Sequence, residues 1–199
     1  MKQYTIQTGK QNFKPCEPIW PKHYPSGFRF RAVLDASCWW SKEDWKGDKD
    51  RNDWNKLCGM TGAFSRNNRR TAYIAWRPAD IENTFLVTAY TNDKKGGFMW
   101  GWQGEANRYL NAITVKANEE FTGACTMFKK NGQNYLSYEL LRPKYPNHPL
   151  VIEHPFDPSW HRFYRQVGTW MGGADNSPGP YGGGAHKKMK LWLDFKWVP

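Results

Sequence analysis

Apolar and polar residues alternate with a period of two along much of the chain. The longest case lies near the C-terminal end, where Met189, Leu191, Leu193, Phe195 and Trp197 fall on one face and Lys188, Lys190, Trp192, Asp194 and Lys196 on the other. Alternation over ten residues predicts a half-buried β-strand. Phe28 to Asp35 repeats the pattern, with Phe28, Phe30, Ala32 and Leu34 inward and Arg29 and Arg31 outward. Thr71 to Arg77 and Thr84 to Thr91 read as antiparallel partners joined by a short polar turn. Asn111 to Ala117, Phe121 to Lys129 and Asn134 to Leu141 add three more, the last two meeting at Asn131-Gly132, a strong hairpin signal. Phe163 to Met171 predicts a further strand. Gly96 to Trp102 is apolar at every position between glycines, which suits either a strand buried on both faces or an exposed aromatic patch.

The intervening segments are punctuated by turn formers. Residues 1 to 27 are polar and carry Pro15, Pro18, Pro21 and Pro25, a composition that predicts an extended arm lying against this chain or a neighbour. Prolines from Pro143 to Pro158 predict a loop. Between Gly172 and His186 six glycines and two prolines rule out regular structure. That loop is either a connector or a surface on which Trp170, Tyr181 and His186 meet a partner. With some nine or ten short strands, hardly any helical periodicity and no internal repeat, the prediction is all-β. The chain should form a two-sheet antiparallel β-sandwich or jelly roll, with an arm over 1–27 and the sandwich over 28–199.

Composition sharpens this picture at three points. Aromatic residues are 17% of the chain and include 12 Trp, so the core should be aromatic. The net charge of +11 favours acidic partners, but the basic residues are scattered in runs no longer than two, so a nucleic-acid groove is not favoured. No apolar stretch predicts a membrane span, and the N-terminal residues lack the apolar core of a signal peptide, which points to synthesis in a cytoplasm. Cys16, Cys38, Cys58 and Cys125 show no paired spacing, so reduced thiols are expected rather than disulfides or zinc.

Motifs for chemistry are sparse. Asp48, Asp50 and Asn52 imitate the start of a calcium loop, but Asp53 and Gly59 stand where that loop needs glycine and glutamate. The acidic pairs Glu43/Asp44 and Glu119/Glu120 are adjacent, so on a strand their side chains diverge. Glu153, His154, Asp157 and His161 are the densest titratable group, yet Pro155 and Pro158 place them on a loop. The glycine loop contains no phosphate-cradling pattern, and no serine sits in a nucleophile elbow. The expectation is therefore no catalytic residue, no metal and no cofactor. Aromatic side chains remain as the contact resource, with Trp170, Tyr181, His186, Trp100 and Trp102 as candidates for touching a protein or a glycan.

Four segments fall in one order: D-W-N-K-L-C-G (Asp53 to Gly59), R-T-A-Y-I-A-W-R (Arg70 to Arg77), T-A-Y (Thr88 to Tyr90) and the glycine loop running into G-G-G-A-H-K-K-M-K-L-W-L. Across residues 28 to 197 this order resembles virion-associated β-sandwich proteins of tailed bacteriophages. Tyr145 to Arg162 is an insertion against that pattern, and the glycine loop is longer. The resemblance implies a non-enzymatic structural protein of the virion, decorating or cementing a capsid or joining a tail, with other virion proteins or its own copies as partners. A carbohydrate-binding module using Trp170 and Tyr181 is the second expectation. A glycan-cleaving enzyme using Glu153, His154 or His161 is the third.

Overall fold

The computed structural model describes residues 1–16, 21–23, 25–41, 43–45, 54–62, 70–93, 96–99, 111–142, 144–156, 163–172 and 184–199. They form a two-sheet antiparallel β-sandwich, and among them the only helical segments are two short 3-10 turns, Ala36–Cys38 and Glu43–Trp45. No helix among the described residues is long and apolar enough to cross a membrane.

The first sheet, sheet A, has six strands. Its lateral order is β1 (Lys2–Ile6), β13 (Met189–Val198), β3 (Gly27–Leu34), β9 (Glu120–Lys130), β10 (Gln133–Leu141) and β11 (Leu150–Pro155). Sheet B runs β2 (Lys22–His23), β12 (Phe163–Val167), β4 (Asn55–Gly62), β5 (Thr71–Pro78) and β6 (Thr84–Asp93). The far edge of β6 is shared by β7 (Gly96–Met99) and β8 (Ala112–Lys116), which pair with its two halves. Asn131 and Gly132 both take positive φ, 51° and 77°, the geometry a two-residue hairpin between β9 and β10 requires.

The alternation of β3 and β13 is realised as expected. Phe28, Phe30, Ala32 and Leu34 are buried, and Arg29 and Arg31 are exposed. Between the sheets the inward residues form one core rich in rings. Trp76 meets Trp40 at 5.9 Å and Phe85 at 5.8 Å, both edge-on, as Phe30 meets Phe121. Edge-to-face contacts of this kind add about 0.5–1.5 kcal/mol each to the area they bury. The Thr91 hydroxyl and Tyr138 hydroxyl bond at 2.6 Å across the core, tying β6 to β10.

Three regions depart from the sequence reading. The segment 143–158 is not all loop, because Leu150–Pro155 adds β11 to the sheet. Pro149 and Pro155 sit at its ends, where an edge strand tolerates them. Strand β4 has no alternation to read, because all of its residues are buried. The N-terminal segment lies against this chain, one of the two placements expected of it, but its residues 2–6 form a strand of sheet A where irregular extended chain was expected. Tyr4, Ile6 and Phe13 enter the same core as the sandwich.

That segment also closes one side of the molecule. Residues 2–6 pair with β13, while Thr5 and Lys14 exchange backbone bonds of 2.8 and 2.7 Å. The Phe13 amide then donates to Thr169 and the Met171 amide to Gln11, and Trp170 exchanges bonds with Lys56 on β4. Backbone hydrogen bonds thus run without a break from sheet A into sheet B. The opposite side has no such seam among the described residues.

Candidate functional site

Of the five residues offered as contacts for a protein or a glycan, Trp170 and His186 lie in the described structure. Trp170 belongs to the seam. Its ring meets Tyr73 edge-on at 5.2 Å, half-buried on the outer face of sheet B. His186 follows Ala185, whose backbone bonds to Gly9 and Lys10, and its ring stands edge-on to Trp40 at 5.5 Å. Burial there lowers its pKa to about 4, helped by the charge of Lys187 and opposed by the Asp44 carboxylate. Both side chains therefore support the fold where the glycine loop begins and ends. Tyr181, Trp100 and Trp102 lie outside the described residues, as do Asp48, Asp50, Asn52 and Asp53.

The densest titratable group is split by strand geometry. Glu153 and His154 are consecutive on β11, so they point to opposite faces. Glu153 faces out and accepts from Lys130 at 2.8 Å, while His154 is buried in the core side of the sheet. Asp157 and His161 lie outside the described residues. Among the described residues no three His, Cys, Asp or Glu side chains group as a metal site would need. Glu120 forms a two-pronged pair with Arg31, and Glu119 caps its own turn at the Lys116 amide, so this acidic pair diverges. Cys38, Cys58 and Cys125 are buried thiols, and burial raises the pKa of Cys38 and Cys125. Cys16 is exposed, its sulfur accepting from Lys14 Nζ at 2.9 Å.

Two surface features of sheet A had no counterpart in the sequence reading. The first is its β11 edge. Strand β11 pairs on one side with β10, and no strand among the described residues pairs with its other side. Ile152 and His154 anchor it inward, while Val151 is 55% exposed on the outer face and Tyr145, just before it, is 48% exposed under the Arg142 guanidinium at 4.2 Å. The signal was present as apolar Leu150 and Ile152 two apart, and the flanking prolines masked it.

The second feature is a trough of about 360 Å³ on the outer face of the same sheet. Its floor is the β9 run Thr122, Gly123 and Ala124, and its walls carry Arg29 and Arg31 from β3, Asp194 and Lys196 from β13, and Glu139 from β10. The surface sinks there because β9 offers only small side chains between long ones. A Cβ on Gly123 would fall 2.7 Å from Phe30 Cε1 and closer still to the Glu139 carbonyl, so glycine lets the Phe30 ring pack directly beneath the floor.

These features define an all-β, two-sheet antiparallel sandwich whose described residues close one side with a backbone seam and leave the outer face of sheet A exposed. No protein-family model matches the chain, and no curated protein matches it.

Proposed function

We propose that the chain is a structural protein of a bacteriophage particle, decorating the capsid or associated with the tail, that works by protein–protein contact through the β11 edge. The observation that carries this reading is the inequality of the two edges of sheet A. The β1 edge is paired at Thr5 with the chain's own Lys14, whereas among the described residues no strand pairs with the β11 edge, which lies beside exposed Val151 and Tyr145. Unpaired strand edges are templates for another strand, and proteins ordinarily blunt them with charge, proline or cover. Here the prolines bracket β11 without interrupting it. The sequence resemblance to virion-associated sandwiches supports the same reading and supplies the setting.

The test is attachment. Purified chain added to particles assembled without it should sediment with them, and Val151→Lys, which places a charge at the edge, should lower the bound fraction at least tenfold while melting within a few degrees of the parent. Absence of attachment by the parent chain, or full attachment by Val151→Lys, would overturn the reading.

A further inference from the structure

The trough on the outer face of sheet A lies away from the seam that holds Trp170 and His186, and its charges are unequally committed. Arg31 is held by Glu120, at 2.8 and 3.2 Å, and Lys196 lies 3.6 Å from Asp194. Arg29 and Glu139 make no side-chain hydrogen bond or ion pair among the described residues, and both are exposed. Register puts them in one lateral row, with Lys196 opposite Arg29, Arg29 opposite Ala124 and Ala124 opposite Glu139. Two strand spacings, about 10 Å, separate the backbones of Arg29 and Glu139, with only the Ala124 methyl between them. The two side chains form no ion pair with each other, and the space above Ala124 leaves room for a ring-sized molecule.

We infer that this trough binds a carboxylate-bearing saccharide, an acidic sugar residue of the uronic or sialic type. The Arg29 guanidinium is the free planar fork that pairs with a carboxylate through two parallel bonds. Glu139, an acceptor only, faces it from the other wall and takes hydrogen bonds from sugar hydroxyls. Thr122 on the floor adds a hydroxyl that both donates and accepts. The volume, about 360 Å³, sits at the small end of the range for small-molecule sites, about 300–1,000 Å³, and suits one or two rings. Pairing narrows the class further. With Arg31 committed to Glu120 and Lys196 beside Asp194, Arg29 is the cation of the trough left for a ligand carboxylate, whereas a phosphate dianion or a polyanion would meet Glu139 and Asp194 unfavourably. The inference is independent of edge pairing, since β11 lines no part of the trough.

The experiment is titration of the full chain, by calorimetry and by ligand-observed NMR, with a glucuronate-terminated oligosaccharide, its neutral glucose-terminated counterpart and inorganic phosphate. Binding is expected for the acidic oligosaccharide and at least tenfold weaker for the other two. Arg29→Ala and Ala124→Leu, the latter filling the floor from the solvent side, should each cut affinity tenfold or more, with Arg29→Lys between Arg29→Ala and the parent. Both altered positions are exposed or half-exposed, so thermal melting should be unchanged and a loss of binding reads the site itself. Equal binding of acidic and neutral sugars, preference for phosphate, no binding of the acidic sugar, or undiminished binding by Arg29→Ala and Ala124→Leu would each overturn the inference.

Discussion

On sheet A the outward residues of β3, Arg29 and Arg31, stand in solvent, whereas on sheet B the outward residues of β5, Tyr73, Ala75 and Arg77, are buried. The two strands are equal in length and both central in their sheets, so the difference lies in what covers them. Sheet B carries a second, outer apolar layer. Trp54, Ala75 and Leu86 cluster there, Tyr73 lies against Tyr90 and Trp170, and two cations sit against rings, Arg77 over Trp54 and Lys56 over Tyr90. Lys56 also donates to the Trp54 carbonyl at 2.7 Å, which offsets part of its desolvation. Among the described residues sheet A carries no such layer. Sheet B thus packs side chains on both faces, whereas the described part of sheet A leaves its outer face and its β11 edge exposed.

The largest expected effect tests that difference directly. Tyr73→Ala, on the outer face of sheet B, should destabilise the fold by about 3–5 kcal/mol in urea unfolding, as truncation of a buried ring does. Thr126→Ala, on the outer face of sheet A, should stay within about 0.5 kcal/mol, the range of ordinary surface changes. Similar costs at the two positions would erase the distinction between the sheets. Next comes Gly123→Ala, whose added methyl points into the core against Phe30 and Leu140 and should cost about 1–3 kcal/mol through overpacking, whereas enlarging the neighbouring half-exposed Ala124 should cost less.

A smaller effect belongs to the seam and is read by pH. His186 takes up its proton near pH 6.5 in the unfolded chain and only near 4 in the folded one. Between those values the unfolded form binds more protons. The stability tied to neutral His186 is therefore complete above about pH 6.5 and falls as pH drops toward 4. His186→Gln should flatten the melting temperature across this window, and an unaltered slope would place its origin elsewhere. The smallest effect should come from the Arg31 pair with Glu120 on the exposed face of sheet A, where a double-mutant cycle is expected to read a weaker coupling than any of the effects above, one that fades as salt is added.

The same contrast explains what could be read from the chain before its structure. Strands β3 and β13 bury one face and therefore alternate, and both were legible nearly residue by residue. Strand β4, N-K-L-C-G-M-T-G, is buried on both faces, so its sequence has no period and it escaped notice. Strand β11 was hidden by the prolines at its ends. Strand β1 was read as part of a polar arm, although Tyr4 and Ile6 alternate with Gln3 and Thr5. The exposed sites were the least legible. The trough is a lateral row crossing four strands, from Lys196 through Arg29 and Ala124 to Glu139, and residues this far apart in sequence meet only through register. Conspicuous aromatics such as Trp170 drew attention because indole suits an interface, but this chain also spends tryptophans on its own packing, with Trp40, Trp54 and Trp76 buried and Trp170 set against Tyr73.

Amide hydrogen exchange across residues 150–155, compared between the free chain and the chain bound to particles, is the most direct measure of whether the β11 edge is the contact. Exchange there should slow at least tenfold on assembly while the amides of β1, already paired on both sides at Thr5, change little. Unchanged exchange over 150–155 in chain that is demonstrably particle-bound would contradict edge pairing.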